Sequence, residues 1–129
     1  MKHMTPREAY DFLRAHDDAL LIDCRSEIEY FYVGHPVGAI HVAWQEAPDW
    51  TINPDFAREV LREAKDKDRP ILLICRSGKR TLDAARALEA DGFADVTNVL
   101  HGFEGELDEN FHRGTRSGWR HDGLPWEQL

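Results

Sequence analysis

The chain has 129 residues, 42% of them apolar, and a formal charge of −8 from 24 acidic against 16 basic side chains. That length is enough for one real core and sits within the usual size of a single domain, while the acidic balance excludes a general nucleic-acid or acidic-membrane surface and confines any basic patch to a local feature. No apolar run approaches the ~18 residues of a membrane span, the opening Met1 to Pro6 has no apolar signal core, and two cysteines, Cys24 and Cys75, cannot make a disulfide scaffold. The expectation is a cytoplasmic protein, one domain over residues 1–129, with both cysteines as thiols.

In chain order, Thr5, Pro6 and Glu8 form a capping-box start for a helix that turns Ala9, Phe12 and Leu13 inward. Ala19 to Ile22 reads as a strand. The acidic, aromatic stretch Glu27 to Tyr32 suits a helical turn before the Gly- and Pro-marked segment 34–38 and a short strand at Ala39 to Val42. Asn53-Pro54 opens a second helix with Phe56, Val60, Leu61 and Ala64 on one face. Pro70 to Ile74 is the clearest central strand, since a short run apolar on both faces suits a parallel sheet covered on each side. A strong helix begins at Thr81 and stops at Asp91-Gly92, and Val96 to Leu100 returns as a strand. The tail from His101 to Leu129 keeps no period and predicts little more than a turn or two of helix. Helices alternating with buried strands make an α/β fold.

Between the central strand and the following helix lies Cys75-Arg76-Ser77-Gly78-Lys79-Arg80-Thr81. In open parallel sheets ligands bind at the carboxyl ends of strands, where helix N-termini present free amides. The helix dipole, oriented loop amides and the cations Arg76, Lys79 and Arg80 each favour the Cys75 thiolate, which is the nucleophilic form. Gly78 permits the positive φ that turns successive N–H groups into a cup for an anion. The plain alternative, a buried small apolar cysteine among solvated cations, is outweighed by strand end, glycine turn and three cations in six residues.

This loop resembles that of the rhodanese-like domains, sulfurtransferases with a Cys-x-x-Gly-x-Arg-Thr/Ser signature. A second stretch agrees: Leu21-Ile22-Asp23-Cys24-Arg25, Glu27 to Tyr30, Gly34-His35 and Gly38-Ala39-Ile40 resemble the family's early motif, and Gly123-Leu124-Pro125 its usual ending. The resemblance implies a three-layer sandwich, with a mostly parallel sheet of about five strands and helices on both faces. It implies that Cys75 takes a sulfane sulfur from thiosulfate or a similar donor, becomes a persulfide, and passes the outer sulfur to cyanide or a thiol. Arg76, Ser77, Gly78, Lys79 and Arg80 would bind substrate, the amides holding the persulfide and Lys79 and Arg80 attracting the anionic donor. No metal or organic cofactor is implied, and no nucleic acid or membrane partner. The rival is a module that hands sulfur to an acceptor protein or senses redox state. Phosphatases and arsenate reductases of similar fold carry Cys-x5-Arg loops, whereas Cys75 to Arg80 is Cys-x4-Arg, a cup one residue smaller.

Asp23 and Arg25 read as a structural brace, and Cys24, where the family commonly has an aliphatic residue, as packing, with a Cys24–Cys75 disulfide left open. The histidines lack metal-site spacing, His35 being assigned to its turn, and Trp44, Trp50, Trp119 and Trp126 to packing. Residues 106–118 look like an inserted loop before Trp119, expected either to border the Cys75 pocket with Arg113 and Arg116 as anion contacts or to form a plain surface extension or dimer contact. Gly34-His35-Pro36-Val37 departs from the family's Gly-His-Ile-Pro order.

Overall fold

The computed structural model describes residues 1–129. In chain order it contains β1 (Lys2–Met4), α1 (Pro6–Ala15), β2 (Leu20–Asp23), a π-helical turn (Glu29–Val33), β3 (His35–Pro36), β4 (Ile40–His41), β5 (Gln45–Glu46) and β6 (Thr51–Ile52). There follow α2 (Phe56–Ala64), β7 (Ile71–Ile74), α3 (Arg80–Ala90), β8 (Val96–Val99) and β9 (Trp126–Glu127). The main sheet has five strands in the order β1-β8-β7-β2-β4, and every pair in it is parallel.

The central position of β7 follows from its sequence. All four residues of Ile71–Ile74 are buried, and alternate side chains leave the strand on opposite faces. Ile71 and Leu73 pack with Ile22, with Val60 and Ala64 of α2, and with Ala84, Ala85 and Leu88 of α3. Leu72 and Ile74 pack on the other face with Leu21, Val99, Ala9 of α1, and Phe103, Trp119 and Leu124 of the C-terminal region. Each fully buried Val, Leu or Ile contributes roughly 1.5–3 kcal/mol relative to exposure, so the strand with two apolar faces is the one that takes the middle of the sandwich. The fold is thus the expected α/β sandwich.

The capping box of α1 forms as its residues require: Glu8 N–H donates to Thr5 Oγ1 at 3.2 Å, and Thr5 N–H to Glu8 Oε1 at 2.9 Å. Helix α2 begins at Phe56, two residues beyond Pro54, because Asn53 holds the turn before it by accepting Asp55 N–H on Oδ1 at 3.0 Å. Three pairings lay outside the sequence expectations: β1 on β8, the two-residue pair β3–β9, and the two-residue pair β5–β6. Strands of two or three residues carry too few alternations to register as a period. The tail is held by such contacts rather than by a helix: Trp119, 2% exposed, donates its indole N–H to Pro125 O at 2.8 Å. No helix is long and apolar enough to cross a membrane.

Candidate active site

Cys75 follows β7 directly and is 1% exposed, on the sheet face covered by α2 and α3. Gly78 adopts φ +92°, which brings its N–H back to donate to Cys75 Sγ at 3.2 Å. The backbone N–H groups of Arg76, Ser77, Lys79 and Arg80 donate to no protein acceptor. The first two carbonyls are occupied: Cys75 O accepts Phe103 N–H at 2.7 Å, and Arg76 O accepts Glu104 N–H at 3.0 Å and Gly105 N–H at 3.2 Å. A loop whose first carbonyls are turned to the 103–105 backbone and whose amides are free, opening into the N-terminus of α3, is a nest for negative charge. Gly102 allows this approach, because a Cβ there would lie 2.6 Å from the Arg76 carbonyl carbon.

The Cys75 thiol is held well below the usual thiol range. The largest cause is the neighbouring Cys24 thiol; burial opposes this, and Thr81 and the Gly78 amide add to the lowering. Cys24 is raised well above the usual range by the same contact, then by burial. Its S–H donates to Ile74 O at 3.4 Å. Cys24 is therefore more than the packing residue its position in the sequence suggested, and both cysteines are free thiols. Thr81 Oγ1 lies 3.6 Å from Cys75 Sγ and donates to Asn98 Oδ1 at 2.5 Å, tying the loop to β8. Asn98 went unnoticed in the sequence, where it reads only as a polar residue in a strand.

Of the loop residues expected to bind substrate, Arg76 and Lys79 lie at the exposed rim, while Ser77 and Gly78 sit deeper. Arg80 is placed differently from expectation. Its guanidinium donates to both Glu29 carboxylate oxygens, at 2.8 and 2.7 Å, and ties the loop to the π-helical turn. Burial alone would raise the Glu29 carboxyl, but the two hydrogen bonds and charge of Arg80, with help from Ser26, hold it at about 2. Arg80 thus carries its own counter-ion, and its side chain still lines a cavity of about 400 Å³ with Gln45, Trp50 and Arg76.

Asp23 and Arg25 form the expected brace. Arg25 is fully buried, donates Nε to Asp23 Oδ1 at 2.9 Å and Nη2 to Asp23 Oδ2 at 2.6 Å and to Gly34 O at 2.5 Å, and lies 4.6 Å above the Phe103 ring. Since Phe103 N–H binds Cys75 O, the brace supports the loop from beneath. His35 serves its turn, with Nδ1 2.7 Å from Tyr30 O and its ring stacked on Tyr30. Trp44 and Trp119 are core residues, whereas Trp50 is 45% exposed beside the loop. In the segment 106–118 the two arginines part company: Arg113 lines two cavities at the Cys75 loop, and Arg116 pairs with Glu109 at 2.5 Å.

The rhodanese-like domain pattern matches residues 5–108. A protein of Rickettsia conorii is 31% identical over 133 residues, covering 98% of each chain. The thiosulfate sulfurtransferase GlpE of Pseudomonas putida is 32% identical over 103 residues, covering 80% of this chain and 82% of GlpE. The crystal structure of Rv0390 from M. tuberculosis superposes with a TM-score of 0.87 at 38% identity, covering 100% of this chain and 98% of that one. With the cysteine loop at the end of the central strand and the family pattern running through both motifs, the chain belongs to the rhodanese-like domain family.

Proposed function

We propose that the protein is a sulfurtransferase that moves a sulfane sulfur from thiosulfate or a similar donor to cyanide or a thiol through a Cys75 persulfide. The observation that carries this reading is the buried Cys75 Sγ under a loop with four unpaired backbone N–H groups. The similarity to thiosulfate sulfurtransferases supports it. In the first half-reaction the Cys75 thiolate attacks the outer sulfur of thiosulfate; the donor's S–S bond breaks and its electron pair leaves with sulfite. The amides of Arg76, Ser77, Lys79 and Arg80 hold the resulting negative charge on the outer sulfur. In the second, an acceptor thiolate or cyanide attacks that sulfur, and the Cys75 thiolate leaves. The low thiol pKa serves both halves, providing the nucleophile and then a good leaving group.

A phosphoryl or arsenyl reaction fits less well. Arg80, the arginine of the Cys-x4-Arg loop, has its guanidinium committed to Glu29 rather than free for an oxyanion edge. The two free thiols agree with a reducing compartment, and we place the protein in the cytoplasm.

Mass spectrometry of the intact protein after incubation with thiosulfate tests the reading. The wild type should gain one sulfur atom, lost again on addition of cyanide, and Cys75→Ser should gain none. Turnover of an aryl phosphate with no sulfur adduct would overturn it.

A further inference from the structure

The segment 106–118 is a built arm. Asp108 organises it by accepting Asn110 N–H at 2.8 Å and His112 N–H at 2.9 Å on Oδ1, and the Thr115 hydroxyl at 2.7 Å on Oδ2. Glu106 N–H donates to Ser117 Oγ at 3.2 Å and closes its base. Arg113 is pinned across the arm by donating Nη1 at 2.7 Å to the carbonyl of Gly105, whose own N–H binds a carbonyl of the Cys75 loop.

This arm delivers Arg113 between two cavities. One, of about 270 Å³, opens between Lys79 and Leu107. The other, of about 420 Å³, runs past Arg76, Trp50 and Glu104. Arg76, Lys79 and Arg113 form no ion pair, in a protein whose acidic residues outnumber its basic ones by half. Arg80 is paired with Glu29, whereas these three cations have no counter-ion at the mouth. The Arg113 pKa is lowered first by burial and then by the charge of Arg76, with Glu104 opposing and Arg80 adding to the lowering. Across the larger cavity Glu104 also lacks an ion pair, and Trp50 offers a half-exposed ring.

Unpaired cations facing an unpaired carboxylate, with an apolar wall between, complement an α-amino acid. We propose that Arg113, with Arg76 and Glu104, forms a subsite that selects an amino-acid persulfide as sulfur donor, the arginines taking its carboxylate and Glu104 its ammonium. The proposal rests on the sulfur-transfer reading. The Cys75 thiolate attacks the outer sulfur of R–S–SH; the new Sγ–S bond forms as the donor's S–S bond breaks. The electron pair and the outer sulfur's proton leave as R–SH, giving the Cys75 persulfide anion.

The test compares cysteine persulfide with thiosulfate as donors. Arg113→Gln, which keeps a donor for Gly105 O but no charge, should lower the ratio of their kcat/KM values about tenfold, mainly through KM for cysteine persulfide. Glu104→Gln should erase the preference for cysteine persulfide over 3-mercaptopropionate persulfide, which lacks the ammonium. Arg116→Ala should leave both ratios as in the wild type. A ratio within twofold of wild type in Arg113→Gln, or an equal fall in Arg116→Ala, overturns the proposal. Binding of S-methylcysteine to Cys75→Ser, followed by amide shifts, separates the two claims. Saturable shifts weakened about tenfold by Arg113→Gln support the subsite even if no donor is turned over, and their absence overturns it.

Discussion

Cys24 and Cys75 stand side by side, each one step past the register pair Asp23–Ile74 that ends β2 and β7, and both on the face covered by α2 and α3. The nearness of the two thiols pushes their pKa values apart, Cys75 down and Cys24 up. Cys24→Ala removes the largest cause of the low Cys75 pKa while leaving the loop amides in place. The pH profile of Cys75 alkylation should move to higher pH, with alkylation at neutral pH slowed several-fold. Cys24→Ser, which keeps a donor, should move it less. An unchanged profile in Cys24→Ala would show that the loop alone sets the thiolate.

The Glu29–Arg80 pair makes stability fall in acid. The Glu29 carboxyl lies at about 2 in the fold against 4.5 for the free group, so its contribution is present in full above 4.5 and is lost as pH falls toward 2. The shift corresponds to up to about 3 kcal/mol for this mostly buried carboxyl. Urea unfolding at a series of pH values should show a steeper acid loss in the wild type than in Glu29→Gln. Glu29→Gln should also be less stable at neutral pH.

Gly102→Ala tests the contact between the 102–105 turn and the cysteine loop. The new methyl would meet Arg76 backbone atoms at 2.6 and 2.7 Å from a residue at φ +63°, and neither neighbour is a flexible side chain. Unfolding should be easier by about 2 kcal/mol or more, and Cys75 should become more accessible to alkylation in the folded protein.

Removing one partner of the buried brace leaves the other charge without compensation. Arg25→Leu should cost about 3–5 kcal/mol by denaturant melt, because Asp23 would keep its carboxylate in a fully buried place. Replacing Asp23 with Asn and Arg25 with Leu together should cost less than the sum of the two single changes, the coupling measured as a double-mutant cycle.

The central strand, the cysteine at its end and the amide loop were legible in the residues because each depends on a short stretch of chain. Ile71 to Ile74 is apolar at every position, and Cys75 to Thr81 carries its glycine and cations at fixed spacing. The capping box at Thr5 and Glu8 is local in the same way. The edge strand β1 was not legible, since three residues, Lys2 to Met4, become a strand only when β8 is there to pair with.

Which cation is free at the mouth is a different kind of question. Arg76, Lys79 and Arg80 look equivalent in the loop, but Glu29, 51 residues away from Arg80, takes one of them out of play. Arg113 and Arg116 look equivalent in the arm, yet one lines the cavities beside the cysteine loop and the other closes on Glu109. Cys24 and Cys75 are likewise 51 positions apart, and only the parallel register of β2 and β7 makes them neighbours. The chain's local pattern names the reacting atom, because backbone geometry and short-range charge suffice to build the nest. The sharing of charge and protons around that atom belongs to the tertiary structure, because it depends on groups that are near in space and distant in sequence.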